Sequence, residues 1–423
     1  MKICFFLGSP EISGGTHVIF RHALYLHESG EDVTIVTEMP LRSEQIKWFE
    51  QARQLKWSTY EKSESKHYDI AIFTWWKTLY QGKSIDADRY VYFVQSIESL
   101  FYPAINKPLR QLVDATYTVP LFQITEAVWI KSTLEGQYCQ NPVLVPNGID
   151  KLLFSVDGKA YEHRKPGIFR VLVEGPIDVQ FKNVPRTIEL CQEAGVDELW
   201  LLTSSKINEY KGIDRVFSQV PLEETPIIYR SCDLIVKLSY VEGMFGPPLE
   251  MFHCGGTAIV YDVTGHDEYI KNEYNGIVIK TDDEKGVVSA IARLKKDKVY
   301  LDKLKTNAIK TSEEWISWEG SSGRFHEALQ TFYRSPKSIA RERLKTICTC
   351  FWDCYVVAED YRLSLESQGC EEMDAYSHVE YVANRFGLRY TLIRCIKLII
   401  KQKFPIIYKA MYRLKKFTNS VEH

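Results

Sequence analysis

The segment Ser239-Tyr240-Val241-Glu242-Gly243-Met244-Phe245-Gly246-Pro247-Pro248-Leu249-Glu250 follows directly on a mostly apolar run, Asp233 to Leu238. Such a short run has the character of a strand buried on both faces of a parallel sheet. Gly243 and Gly246 let the backbone approach a ligand closely, and Pro247 and Pro248 suit the first turn of a helix whose free N–H groups can hold phosphate oxygens. Glu242 on the loop and Glu250 in the first helical turn then bracket the motif with two carboxylates. A carboxylate accepts hydrogen bonds from vicinal hydroxyls, which makes sugar rings its natural partners. Strand, glycine-bearing turn and helix in that order form one unit of a doubly wound α/β domain.

The same order recurs upstream. Val171 to Val173 leads into Glu174-Gly175-Pro176, and Leu199 to Leu202 supplies another strand of the same domain. Nearer the amino end, Ile3 to Leu7 runs into a loop, Ser9 to Gly15. A helix over Thr16 to Ser29 follows, with Val18, Ile19, Ala23, Leu24 and Leu26 on one face, and then a strand, Val33 to Val36. Further strands are expected at Ile70 to Phe73, Tyr90 to Val94 and Val143 to Val145. We therefore expect two Rossmann-like domains, 1–156 and 168–334, joined by a polar linker at 157–167 and closed by a helix over Phe325 to Phe332. Beyond them lies a helical extension, 335–423. Ligands of such domains bind in the cleft outside the carboxyl ends of the strands.

Composition agrees with this division. A chain of 423 residues exceeds what one core organises, and its 45% apolar content is that of a globular protein. With 53 basic and 55 acidic residues the net charge is -2, so the molecule as a whole has no pull toward polyanions. Its ten cysteines are scattered through apolar stretches (Cys4, Cys191, Cys232, Cys254), which suits a reducing, cytoplasmic compartment more than a disulfide framework. Cys348, Cys350 and Cys354 lack paired zinc spacing and read as buried helix cysteines, and Asp86-Ala87-Asp88 reads as a surface turn. The first apolar run is too short for a signal peptide, and no run reaches the roughly 18 apolar residues that span a bilayer.

From the spacing of Glu242 and Glu250, the chain resembles the retaining glycosyltransferases of GT-B fold in family four, the glycosyl transferases group 1. The likeness extends to Cys254-Gly255-Gly256-Thr257, Gly265-His266-Asp267-Glu268, Asn275-Gly276 and Val145-Pro146-Asn147-Gly148-Ile149-Asp150. Tyr90 to Gln95 with Glu98, and the Gly243-Met244-Phe245-Gly246-Pro247-Pro248 variant, are similar to the branch that builds bacterial surface polysaccharides and includes rhamnosyltransferases. The resemblance implies a nucleoside-diphosphate sugar as donor, no metal or other cofactor, and an acceptor glycan, lipid-linked in surface polysaccharide assembly. It places Glu242 at the transferred sugar, Glu250 at the ribose, and Lys182 at the diphosphate. Gly14, Gly15, Gly175, Gly243, Met244, Phe245 and Gly246 would lie along the donor. Gln95 stands where many relatives carry a histidine, and His266 and Glu268 face the cleft. One departure matters: Pro176 follows Gly175 where many members carry an arginine, so one phosphate-neutralising cation is unassigned.

Blander readings stand beside these: a helix-terminal acid for Glu242 or Glu250, a solvated Lys182, a plain turn at Gly14-Gly15, a strand-end amide for Gln95, a capping loop at His266 to Glu268. A non-catalytic scaffold of the same fold, or an epimerase or phosphorylase built on it, is the alternative to a transferase. Gly8 and Gly14 do not make the dinucleotide fingerprint, which disfavours a dehydrogenase. Finally, Arg385 to Lys416 holds ten Lys or Arg and no acid, in two amphipathic stretches split by Pro405. That pattern suits attachment of 385–417 to the anionic inner face of the cytoplasmic membrane, a peripheral location, and it lacks the stacking platforms of a nucleic-acid binder.

Overall fold

A computed structural model describes residues 1–41 and 46–367. The basic stretch 385–417 lies outside them. Two parallel sheets build the molecule. In the first, β1 (Lys2–Phe6), β2 (Asp32–Thr37), β3 (Lys56–Thr59), β4 (His67–Phe73), β5 (Asp86–Val94), β6 (Phe122–Thr125) and β7 (Val143–Leu144) take the order β3-β2-β1-β4-β5-β6-β7. Its connections carry α1 (Gly14–Glu28), α2 (Tyr60–Glu64), α3 (Trp76–Gln81), α4 (Lys107–Tyr117) and α5 (Val128–Tyr138). In the second, β8 (Arg170–Glu174), β9 (Glu198–Thr203), β10 (Arg215–Ser218), β11 (Leu234–Lys237), β12 (Thr257–Tyr261) and β13 (Ile277–Ile279) take the order β10-β9-β8-β11-β12-β13. Helices α6 (Val184–Glu193), α7 (Thr225–Tyr229), α8 (Gly246–His253), α9 (Glu284–Lys296) and α10 (Lys298–Glu314) belong to it, and α11 (Trp318–Arg334) and α12 (Arg341–Ser367) follow. The expected pair of doubly wound α/β domains is the observed architecture.

The central strands are short and apolar because they are covered on both sides, whereas the edge strands β3, β7 and β10 are partly exposed. Ile3 and Phe5 of β1 pack with Val18, Ile19 and Ala23 of α1, while two apolar clusters cover the faces of the second sheet. Both sheet orders reverse about their first strand, between β1 and β4 and between β8 and β11. Those are the crevices where ligands of such sheets bind.

Several boundaries differ from expectation. Helix α1 starts at Gly14, two residues early, because Ser13 Oγ accepts the Thr16 N–H at 3.1 Å and caps it. The segment 157–167, expected to be the polar linker, makes contacts with the second domain: Arg164 donates to the carbonyls of Gly255 (2.7 Å) and Cys254 (3.0 Å), and the Tyr161 N–H to that of Ile227. Helix α11, expected to close the second domain, instead enters the first core through Trp318, Phe325, Leu329 and Phe332. There Phe325 stacks on the buried His22 of α1, which bonds Ser322 Oγ at 3.0 Å. Asp86 and Asp88 open strand β5 and do not form a turn. They meet His67 and Lys337 at the amino ends of the strands, opposite the cleft.

By its contacts the chain forms two units, Met1–Pro103 with Val113–Thr349, and Ala104–Leu112 with the described residues from Cys350 on. In the smaller unit Arg362 pairs with Glu359 at 2.7 Å. None of the eight described cysteines is in a disulfide. Cys348 is buried as expected, whereas Cys354 is exposed. No helix of the described residues is long and apolar enough to cross a membrane.

Candidate active site

The loop leaving β11 carries Glu242 into the crevice of the second domain, where the residue is 6% exposed. One oxygen accepts a hydrogen bond from Lys182 Nζ at 2.7 Å; the other lies 3.7 Å from Lys237 Nζ. Lys182 is aimed there by a tight turn, Gln180–Lys182, which ends on Asn183 in the left-handed conformation with its amide donating to the Leu238 carbonyl. Burial pushes the Glu242 carboxyl up, but the two ammonium groups outweigh it and hold the pKa below the ordinary value. The group is therefore ionised at neutral pH.

Glu250 lies in the second turn of α8, one turn deeper than the sequence suggested. Burial, with the carboxylate of Glu174 nearby, raises its pKa to about 7, and a hydrogen bond from Tyr229 only partly offsets this. The helix that precedes it is a weaker anion site than expected. Pro247 and Pro248 occupy its first turn and have no N–H to give.

Gly243 is where the two domains meet. A β-carbon there would stand 2.2 Å from the Gln95 carbonyl oxygen and 2.9 Å from Glu126 Oε1, so only glycine lets the loop pass. Its own carbonyl accepts the Trp129 Nε1–H at 3.0 Å, and the next N–H, of Met244, is donated to Glu126 at 3.0 Å. Phe245 is buried beneath the loop at the N-cap position of α8, and Gly246 is the first helical residue. On the first domain Gln95 directly follows β5, donates to the Gly15 carbonyl at 3.1 Å and thereby faces the start of α1, where Gly14 and Gly15 are the first two helical residues. Gly175 follows β8 at φ +139°, and a β-carbon there would stand 3.0 Å from Val184 and 3.6 Å from Lys237 Nζ.

His266 is turned inward, its Nδ1 2.6 Å from the Val263 carbonyl. Glu268 crosses to the other domain and accepts the Val128 and Trp129 N–H groups at 2.7 and 3.2 Å, capping α5, whose own cap residue, Ala127, has no polar side chain. Glu98 is withdrawn from the cleft among Trp76, Tyr92 and Tyr117. Residues the sequence reading passed over are Lys237, Glu174, Glu126 and Trp129. Lys237 alone left a signal, a lysine ending a strand that otherwise reads Leu-Ile-Val.

This geometry brings Glu242, Lys182, Gly175, Gly243 and Glu250 to one crevice, and Gln95 and Gly15 to its opposite wall. Residues 197–311 match the model of the family described as glycosyl transferases group 1. No curated protein sequence matches the chain. Among solved structures it is similar to HepE of Anabaena in complex with UDP-glucose, with a TM-score of 0.64, 14% identity, and 78% of this chain against 100% of that one. Sucrose-phosphate synthase of Thermosynechococcus elongatus gives 0.62 and 15%, over 79% and 99%. The glycosyltransferase WaaG, involved in lipopolysaccharide biosynthesis, gives 0.61 and 12%, over 79% and 100%. The fold is that of the GT-B glycosyltransferases.

Proposed function

We propose that the chain is a retaining glycosyltransferase that moves a hexose or deoxyhexose from a nucleoside-diphosphate sugar to a hydroxyl of a growing, lipid-linked glycan. The observation that carries this is the buried, ionised Glu242, which lies inside the segment that matches the group 1 model and pairs with Lys182 in the crevice of the donor-side sheet. A carboxylate so placed accepts from sugar hydroxyls, and the neighbouring ammonium takes charge on a diphosphate.

In this reading the bond between the anomeric carbon and the β-phosphate oxygen breaks, and its electron pair stays on the diphosphate. The acceptor oxygen bonds to the same face of that carbon and passes its proton to a phosphate oxygen. Nothing in that sequence requires a protein nucleophile or a metal; the site must orient both partners and stabilise charge as it develops on the leaving group. The closed contact of Gly243 with Gln95 and Glu126 would exclude water, which otherwise hydrolyses the donor. The acceptor, on a lipid carrier, would reach the enzyme through membrane attachment of 385–417.

The test is nucleoside diphosphate release from UDP-glucose, UDP-galactose, their N-acetyl forms, GDP-mannose and dTDP-rhamnose with lipid-linked acceptor. Release from one donor, abolished in Glu242→Ala, is expected. Silence across the panel together with no donor binding in calorimetry would turn the reading to a scaffold.

A further inference from the structure

Strands β8 and β11 are neighbours in register, Leu234 with Val171, Ile235 with Leu172 and Val236 with Val173. The next rung sets Lys237 beside Glu174 at the carboxyl ends of the two strands between which the sheet order reverses. Lys237 is 3% exposed. Its ammonium donates to the Glu174 carboxylate at 2.6 Å and to the Glu174 carbonyl at 3.2 Å, and lies 3.7 Å from Glu242. Lys182 holds the other oxygen of Glu242. Two ammonium groups thus flank one carboxylate on the floor of the crevice.

Stability does not account for this pair. An apolar rung at the same place would avoid the cost of taking two charges out of water, a cost that a buried ion pair seldom recovers. Burial lowers the Lys237 pKa, but the carboxylates of Glu174 and Glu242 outweigh it and raise it above the ordinary value, so the ammonium is charged. Apart from Lys182, the features expected to supply positive charge to this crevice are weakened. Pro247 and Pro248 remove donors from the start of α8, and Pro176 follows the glycine after β8.

We propose that Lys237 is the second diphosphate-binding cation of this site, and that Glu174 is its resting counter-ion, from which the ammonium turns to the donor's phosphate oxygens. This rests on the donor-site reading above. Lys182 and Lys237 then approach the leaving group from two sides, and Glu174 tunes how readily Lys237 is released.

The experiment is calorimetric binding of UDP, GDP and dTDP against UMP, GMP and dTMP by the full chain, with thermal unfolding of each variant. Wild type should prefer the diphosphate of one base. In Lys237→Met that preference should fall roughly tenfold or more, with monophosphate affinity kept, as expected for loss of a charge-assisted contact. Glu174→Gln, which frees the ammonium, should keep or increase the preference. Should Lys237→Met fail to fold around an orphaned Glu174, the double variant Lys237→Met, Glu174→Gln replaces the pair without leaving a charge and should show the same loss. An unchanged preference in a folded variant lacking Lys237 overturns the assignment, since a purely structural lysine would move the unfolding temperature alone. A wild type that binds none of the diphosphates overturns the donor-site reading itself.

Discussion

Glu250 and Glu98 show what burial does to single carboxyls. With a pKa of about 7, Glu250 is half protonated near neutrality, yet to hold ribose hydroxyls it must accept hydrogen bonds as the anion. Donor affinity should therefore rise with pH through about 7. Titration of the bound nucleotide sugar from pH 6 to 8 should show a several-fold gain that Glu250→Gln removes; a gain that persists in the variant would assign the pH dependence elsewhere. The unliganded fold has the opposite sign. A carboxyl whose folded pKa exceeds its unfolded one contributes stability that is present below the unfolded value and lost as pH rises through the folded value. Glu98, pushed up to about 8 by burial and only partly relieved by the Trp76 N–H and the Tyr92 hydroxyl, should destabilise the first domain between about pH 4.5 and 8. Glu98→Gln keeps the shape of the neutral acid, so its unfolding temperature should exceed wild type by a few degrees at pH 9 and by little at pH 4. Equal gains at both would refute the titration. Glu242 was singled out in the sequence because it stands beside a glycine turn at a strand end, and Lys182 only through the resemblance to the family. Lys237 was not, because a lysine ending an apolar strand reads as one reaching solvent, and its partner lies on another strand, in a register that periodicity does not give.

At the scale of elements, most strands were legible, since a parallel strand covered on both faces must be a short apolar run. Helix ends and crossings were less so. Pro146-Asn147-Gly148-Ile149 was recognised as a motif, but not that it runs against the start of α11. Ile149 bridges Ser317, Trp315 Nε1 donates to the Asn147 carbonyl at 2.9 Å, and Ser321 Oγ to that of Pro146 at 2.7 Å. A β-carbon on Gly148 would stand 2.4 Å from the Trp318 backbone, and backbone on both sides leaves nothing flexible to yield. Gly148→Ala should accordingly cost about 1–3 kcal/mol, the range for overpacking, and lower the unfolding temperature by several degrees. A variant as stable as wild type would mean that the two crossing segments separate easily.

Over the whole molecule, the first and second sheets are clasped across the cleft by contacts that no local pattern foretold: Glu268 capping α5, Trp129 donating to Gly243, and Glu126 accepting from Met244. The resemblance implied that His266 and Glu268 face a cleft, with a capping loop as the alternative; neither reading named a helix start in the other domain as the partner of Glu268, because such a contact depends on how two folded bodies meet. Each bond is worth roughly 1 kcal/mol net, so losing the Glu268 and Trp129 contacts together should shift a closed arrangement toward an open one by about ten- to a hundredfold. The double variant Glu268→Ala, Trp129→Phe replaces none of the residues placed on the donor, although it removes the Trp129 bond to the Gly243 carbonyl. Small-angle scattering should show a larger radius of gyration for it without ligand, with donor restoring compaction, and turnover should show a raised KM with kcat reduced less. If scattering and KM both stay at wild-type values, these contacts merely accompany closure, and the energy holding the domains together lies at the Pro146–Ile149 and Trp315–Ser321 crossing instead.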